Sequence, residues 1–407
     1  MGKRIWIVNY YTGRPGSISN TRYLEFDTNF LMAGHDVITF NSSRSAKVDF
    51  KGKFEEKWYG QYHYIHVNVP KNDGILRRVW SIFFFAMRIY FYRNHFPKPD
   101  VILHNVHTPF DYPVYWAAKR LKAKYIAEAW DMWPEDFVTF GFLKANSPIM
   151  KFAYKVERML YDNADKVVFT FEGGPDYLKE KGWTTDSGGT IDPAKVHYIN
   201  SGVNLEKFDY DCKSHPRKDE DLNNPDTYKI IYLGSIRLVN HVKELIDAAA
   251  LLQDNPKYRI IIYGDGNERP ELEQYVKDKG INNVVFKEKH IPFEEVAWVV
   301  SQATVNIMNY QKNFGIHGVS SGKMFQYFAA GKPILCNIKL NYSEISRNNI
   351  GIDRELDTPG QYAEAIKELA EQPREKYEAM CQRVRKTAEK FDYKILAAQE
   401  LEVIESC

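Results

Sequence analysis

Arg237 and Lys243 stand six residues apart in GSIRLVNHVKE, directly after the apolar run Lys229–Leu233. A planar guanidinium and a flexible ammonium suit a diphosphate, since each adds a charge-assisted hydrogen bond worth about 1.5–3 kcal/mol. Two solvated surface cations would read the same way. A second stretch asks for the same partner. Phe314–Cys336, FGIHGVSSGKMFQYFAAGKPILC, reads as a loop of small residues, a short helix capped by Ser320 or Ser321 and ended by Gly331, and a buried strand. The free N–H groups of such a loop and helix start make an anion site. Gln326, about a turn and a half into the helix, could reach a group attached to the anion. Any serine-capped helix shares this pattern, and most bind nothing.

Tyr263-Gly264-Asp265-Gly266 also ends a strand, where Gly264 and Gly266 permit close backbone approach to a ligand. No third glycine follows in register, so this is not a dinucleotide fingerprint. His290, in Lys289–Pro292, lines a base pocket or sits in a plain turn. In the first half, Gly13, Gly16 and Ser17 of TGRPGS follow the first strand and either meet the same diphosphate or form a turn. His107, in HNVHTP, is a candidate donor to a sugar hydroxyl or to developing charge, though a loop histidine is often structural. The densest constellation is Glu128–Glu135, EAWDMWPE, with three carboxylates and two tryptophans at a strand end. Tryptophan faces cover sugar C–H bonds while nearby carboxylates take hydroxyls, which points to Asp131, Trp133 and Glu135 as acceptor contacts. The alternative is tryptophans that close the core beside acids that cap the next segment. The Asp-x-Asp pairs at 209/211 and 219/221 lie away from strand ends and are rejected as metal sites.

The elements that would position these groups alternate strand and helix. Strands are expected at Arg4–Asn9, Val37–Phe40, Tyr64–Val69, Val101–His104, Tyr125–Ala129, Lys166–Thr170 and Val196–Ile199. Several are continuous apolar runs, the mark of parallel strands covered on both faces. Hydrophobicity collapses over His215–Tyr228 and the pattern then restarts with strands at Lys229–Leu233, Tyr258–Tyr263, Val284–Phe286, Val305–Met308 and Pro333–Leu335. The expected organisation is α/β: a Rossmann-like domain at 1–205, a linker at 206–228, a second such domain at 229–388, and a helix at 389–407 that packs back on the first domain. Two doubly wound domains of this kind would face a cleft at the carboxyl ends of their strands.

Composition bounds the function. The 407 residues are 44% apolar and 27% charged, with a net charge of +2, which argues against bulk nucleic-acid binding. Four scattered cysteines with no CxxC pair suggest a reducing compartment and no structural zinc. The chain runs straight into a strand without a leader pattern, and its longest apolar run, Trp80–Tyr92, is interrupted by Arg88 and too short to span a bilayer. A cytoplasmic protein is expected. Gly74–Pro99 carries Arg77, Arg78, Arg88, Arg93 and Lys98, no acid, and eight aromatic residues. That composition suits an anionic membrane surface, and equally an ordinary helix packed on the sheet.

Together the motifs resemble the family-4 glycosyltransferases of the GT-B fold, in particular bacterial enzymes that build cell-surface polysaccharides on lipid carriers. The resemblance spans nearly the whole chain. It rests on the Gly-Arg loop after the first strand, DMWPE, Asn200–Asn204 (NSGVN), GSIR with Lys243, YGDG and GKMFQYFAAGKP. It implies a UDP- or GDP-sugar donor held mainly by the second domain, with Arg237 and Lys243 on the diphosphate. Backbone N–H groups near Val319, Ser320 and Ser321 and the Gly13–Gly16 loop would assist. His107 matches the family's active-site histidine. Transfer to a lipid-linked saccharide would be retaining and independent of metal or other cofactor, on a protein peripheral to the inner membrane face. One departure stands out: where the family has two glutamates eight positions apart, this chain has Gly318 and Gln326. That motivates an alternative, a sugar-nucleotide binder or catalytically weak partner subunit on the same fold.

Overall fold

The apolar runs pair as two separate, mostly parallel sheets in the computed structural model, which describes residues 2–17, 21–71, 73–107, 109–139, 141–312 and 314–407. Residues 1–200 and 393–407 form one unit, and residues 201–392 form the other.

The first unit holds β1 (Arg4–Val8), β2 (Asp36–Ser42), β3 (Phe54–Tyr59), β4 (Tyr62–Val67), β5 (Val101–Asn105), β6 (Lys124–Ala129), β7 (Lys166–Phe169) and β8 (Val196–Tyr198). Their order is β3-β4-β2-β1-β5-β6-β7-β8, parallel except for the β3–β4 hairpin. The period-2 alternation of a strand divides β1 between two cores. Trp6 and Val8 join Ile82, Phe85, Ala86 and Ile89 of helix Ile75–Tyr92 on one face. Ile5 and Ile7 join Tyr23, Phe26 and Phe30 of helix Thr21–Met32, with Leu396 and Ile404 of helix Tyr393–Glu405, on the other. The C-terminal helix therefore belongs to the first unit, as expected. Beneath it Arg22, fully buried, pairs with Glu128 at 2.5 Å and Glu400 at 3.5 Å, and donates to the Ile199 carbonyl at 3.1 Å.

The second unit is an all-parallel sheet of β9 (Tyr228–Leu233), β10 (Tyr258–Tyr263), β11 (Val284–Phe286), β12 (Val305–Met308), β13 (Ile334–Cys336) and β14 (Gly351–Asp353), in the order β11-β10-β9-β12-β13-β14. Helices Val242–Ala250 and Pro359–Ala370 cover one face. Helices Gly322–Ala330 and Arg374–Glu389 cover the other.

Two strands escape the sequence pattern. β3 is an edge strand whose Glu56, Lys57 and Trp58 are exposed, and β14 has only three residues. The expected linker, 206–228, instead contains all but the first residue of helix Leu205–Ser214 and the short helix Glu220–Asn223, and it groups with the second unit. The acids of its two Asp-x-Asp pairs are all held by cations: Asp211 by Lys207, Asp209 by Arg385, and Asp219 and Asp221 by Lys287. Among the described residues no helix is long and apolar enough to cross a membrane.

Candidate functional site

In the first unit the sheet order reverses between β1 and β5, so the segments after these two strands border the crevice where such sheets hold ligands. His107 follows β5. Its backbone N–H donates to Asp111 Oδ2 at 2.7 Å, and its Nε2 lies 3.2 Å from Asn9 Oδ1. That oxygen also accepts from Tyr11 N–H at 2.7 Å, which orients the amide and makes Nε2 the protonated, donating nitrogen. Burial lowers the imidazole pKa to about 3, so His107 is neutral at physiological pH.

His107 lines a hollow of about 240 Å³ with Tyr11, Val106, Asp131, Trp133, Asp136, Phe137 and Phe142. Asp131 keeps contact with solvent at this hollow, yet surrounding protein raises its carboxyl above the ordinary range. Burial, with the charges of Asp131 and Glu135, pushes Asp136 up to about 7. Asp136 was not singled out from sequence; its signal is its place next to Glu135. The expected acceptor group is thus divided. Asp131 and Trp133 line the hollow, whereas Glu135 accepts from Tyr154 Oη and Lys181 Nζ, both at 2.6 Å. Glu128 and Trp130 belong to the core around Arg22 and Tyr23. Thr108 of HNVHTP lies outside the described residues.

The Thr12–Ser17 loop is held from beneath by a relay that sequence reading missed. Tyr59 Oη donates to His66 Nε2 at 2.8 Å, and His66 Nδ1 donates to Asn41 Oδ1 at 2.6 Å. Asn41 Nδ2 then donates to the carbonyls of Thr12 at 2.9 Å and Gly13 at 3.3 Å. Burial lowers His66 to about 4 and keeps that relay neutral. Gly16, at φ +81, completes a turn in which Ser17 N–H donates to Arg14 O at 3.0 Å.

In the second unit the order reverses between β9 and β12. Arg237, just past β9, is exposed, and its guanidinium makes no hydrogen bond or ion pair. Lys243 is engaged elsewhere: its ammonium lies 2.7 Å from Asp247 and 4.4 Å above the Tyr275 ring. Burial, which lowers its pKa, is outweighed by Asp247 and Tyr275. The two cations thus share no partner within the protein. The glycines of YGDG admit the chain's own backbone. A Cβ on Gly264 would sit 1.8 Å from Gly234 O, and one on Gly266 would sit 2.0 Å from Ile236 O. Gly234 N–H and Ile236 N–H donate across this junction to Tyr263 O and Asp265 O at 3.1 and 2.9 Å. His290 is exposed in the loop after β11.

Ser321 is the N-cap of helix Gly322–Ala330, but its side chain makes no cap bond. Val319, Ser320 and Ser321 are half-buried along the approach to that helix. Gln326 is half-buried with no hydrogen-bond partner. One turn before it stands Lys323, which sequence reading passed over. Its ammonium lies 4.9 Å from the Tyr232 ring centre and 5.1 Å from that of Tyr310. Burial lowers its pKa to about 8. Gly318 sits at φ +100, a conformation that a glutamate would adopt only under strain.

Residues 23–207 match the family model described as Glycosyltransferase Family 4, and residues 215–390 match that described as Glycosyl transferases group 1. No curated protein matches the sequence. Among solved structures, Anabaena HepE in complex with UDP and glucose is similar over 100% of both chains, with TM-score 0.67 and 13% identity. WaaG, a glycosyltransferase involved in lipopolysaccharide biosynthesis, aligns over 98% of this chain and 99% of its own, with TM-score 0.68 and 14% identity. The α,α-trehalose 6-phosphate synthase of Burkholderia multivorans aligns over 100% and 97%, with TM-score 0.73 and 11% identity. Two Rossmann-like α/β units with this whole-chain likeness define the GT-B fold. The chain is a GT-B glycosyltransferase with a family-4-like first domain and a group 1 second domain.

Proposed function

We propose that the chain transfers a sugar, with retention and without a metal ion, from a UDP- or GDP-linked donor to a lipid-linked saccharide used in cell-surface polysaccharide synthesis. The observation that carries this reading is the hollow at the β1/β5 switch point, where a neutral imidazole and two perturbed carboxylates meet an aromatic wall. His107 donates to a sugar hydroxyl or to developing charge, Asp131 and Asp136 take acceptor hydroxyls, and Trp133 covers a sugar face. In the second unit, unpaired Arg237 and the Val319–Ser321 approach take the donor diphosphate, with cationic side chains neutralising the leaving group. The UDP and UDP-glucose complexes of Anabaena HepE support a nucleotide-sugar donor on this fold.

The lipid-linked acceptor draws support from the surface of the first unit. Phe142, which lines the hollow, is 70% exposed, and Trp80, Phe91 and Phe152 are 57%, 64% and 57% exposed. Arg77, Arg78 and Lys98 are exposed in the basic aromatic segment 74–99, a composition that fits peripheral binding to an anionic inner leaflet. Arg88 contributes less, because it donates to the Asn68 carbonyl. Flotation with vesicles should therefore increase with anionic lipid and fall in an Arg77→Gln/Arg78→Gln variant; binding indifferent to lipid charge would refute the membrane part.

The deciding experiment incubates the protein with UDP- and GDP-sugars and a panel of lipid-linked saccharides and measures nucleoside diphosphate release and product anomer. Release with an α-product from an α-donor is expected. An inverted anomer overturns retention. Nucleotide-sugar binding without turnover across the panel would favour the second reading, a binding or catalytically weak partner subunit. Gly318 at φ +100, the uncharged Gln326 and the engagement of Lys243 with Asp247 favour that alternative.

A further inference from the structure

We propose that Lys323 is a donor-binding cation, its ammonium meeting the diphosphate at the β9/β12 switch point where Lys243 does not. The inference rests on the nucleotide-sugar reading above and assigns a residue that the spacing of Arg237 and Lys243 did not indicate.

Lys323 is half-buried and has no anionic partner. Its ammonium rests between the faces of Tyr232 and Tyr310, and it makes no hydrogen bond or ion pair. Taking an ammonium out of water without a counter-charge is costly, and two aromatic faces offset only part of that cost. The rest of the site is unsatisfied in the same way. Tyr310 is 4% exposed, and its buried hydroxyl lies beside Ser321 without a well-formed hydrogen bond. Ser320 Oγ is buried without a partner, and Gln326, three residues after Lys323 on the same helix, is also unpartnered. On the side of β9, the lysine stem approaches Gly234, where an added Cβ would lie 3.7 Å from Lys323 Cδ. A cation, the Tyr310 ring with its unpartnered hydroxyl and an uncapped helix start thus lie together within the second unit, with Ser320 one residue before the N-cap, and an anion would satisfy these groups.

The groups around Lys323 stay neutral through pH 9. Burial raises Tyr232, Tyr310 and Tyr327 above the ordinary phenol range and pushes Cys336 up to about 12. Lys323 alone among these titrates near pH 8. A diphosphate against the ammonium would raise its pKa, so binding at pH 9 draws in most of a proton.

The test is titration calorimetry of the full chain with UDP and with GDP at pH 9, in buffers of different ionisation enthalpy. Proton uptake on binding is expected, with Lys323→Met weakening affinity at least about tenfold and abolishing the uptake. Lys323→Gln serves as a second variant, and the wild-type uptake decides the point even if a variant misfolds. UDP or GDP binding without proton uptake, or with unchanged affinity in either folded variant, overturns the assignment and leaves the function intact. Failure of the wild-type protein to bind either nucleotide overturns the function and this inference with it.

Discussion

At His107 the imidazole is fixed rather than free to titrate. Asn9 accepts from its Nε2, Tyr11 covers it edge-on at 4.7 Å, and burial holds it neutral down to about pH 3. On the proposed reading His107 acts as a neutral donor, so it should contribute no inflection to a pH–rate profile between pH 5 and 8. Asp136, at about 7, should. Its carboxylate form predominates above that value, so turnover that depends on it rises through pH 7, and Asp136→Asn should remove the inflection. His107→Ala should lower turnover at least about 100-fold while sparing nucleotide binding. Lys323 carries a stability signature as well. Its folded pKa of about 8 lies below the ordinary 10.5, so the folded state binds fewer protons between these values and stability rises with pH across that window. Lys323→Met should melt higher than wild type at pH 7, with the difference shrinking towards pH 10.5. These residues show the limit of sequence reading. DMWPE marked Asp131 and Trp133 because tryptophan faces beside carboxylates at a strand end suit a sugar. Lys323 sits in a helix among Met324, Phe325, Tyr327 and Phe328, where only folding reveals that its one polar face meets two tyrosines.

At the scale of elements, helix Thr21–Met32 is joined to the C-terminal helix by one guanidinium shared between two buried carboxylates. Burial and the charge of Glu128 hold Glu400 well above the usual carboxylate range, against the pull of Arg22. Removing the cation leaves both carboxylates without compensation, whereas removing Glu400 leaves Arg22 paired with Glu128. Arg22→Met should therefore destabilise by about 3–5 kcal/mol, and Glu400→Gln should be close to neutral or stabilising at pH 8. Denaturant unfolding of the two variants checks this; equal losses would show that the helix docks through its apolar face alone. The parallel strands were legible because continuous runs such as Ile260–Ile262 are buried on both faces. β3 was not, since it pairs only with β4 and keeps its charges in water. The glycines of YGDG were legible as a close approach, but their partner, the Gly234–Ile236 backbone, is fixed by neighbouring strands in the sheet and not by spacing in sequence.

At the scale of the whole molecule, the chain leaves the first unit after Asn200, completes the second, and returns at Tyr393. The second unit is therefore continuous in sequence, with cores of its own around β9–β14. A fragment of residues 201–392 should fold by itself and retain Arg237, Lys323, Gln326 and the Val319–Ser321 approach. If these residues supply the diphosphate contacts, the fragment should bind UDP or GDP within about twofold of the full chain, since uniform retention of contacts leaves the free energy of binding unchanged. The loop carrying Gly13, Gly16 and Ser17 is absent from the fragment, so the comparison tests whether it contributes at all. A fragment that melts cooperatively but binds at least about tenfold more weakly would assign a missing contact of roughly 1.4 kcal/mol to the first unit. Restoration of that difference by the full chain, and its loss in a full-chain Gly16→Val variant, would place the contact in the Thr12–Ser17 loop. Gly16→Val is the suitable probe because Gly16 sits at φ +81 with open space around its α-carbon, so the substitution strains the loop backbone without a clash against the core.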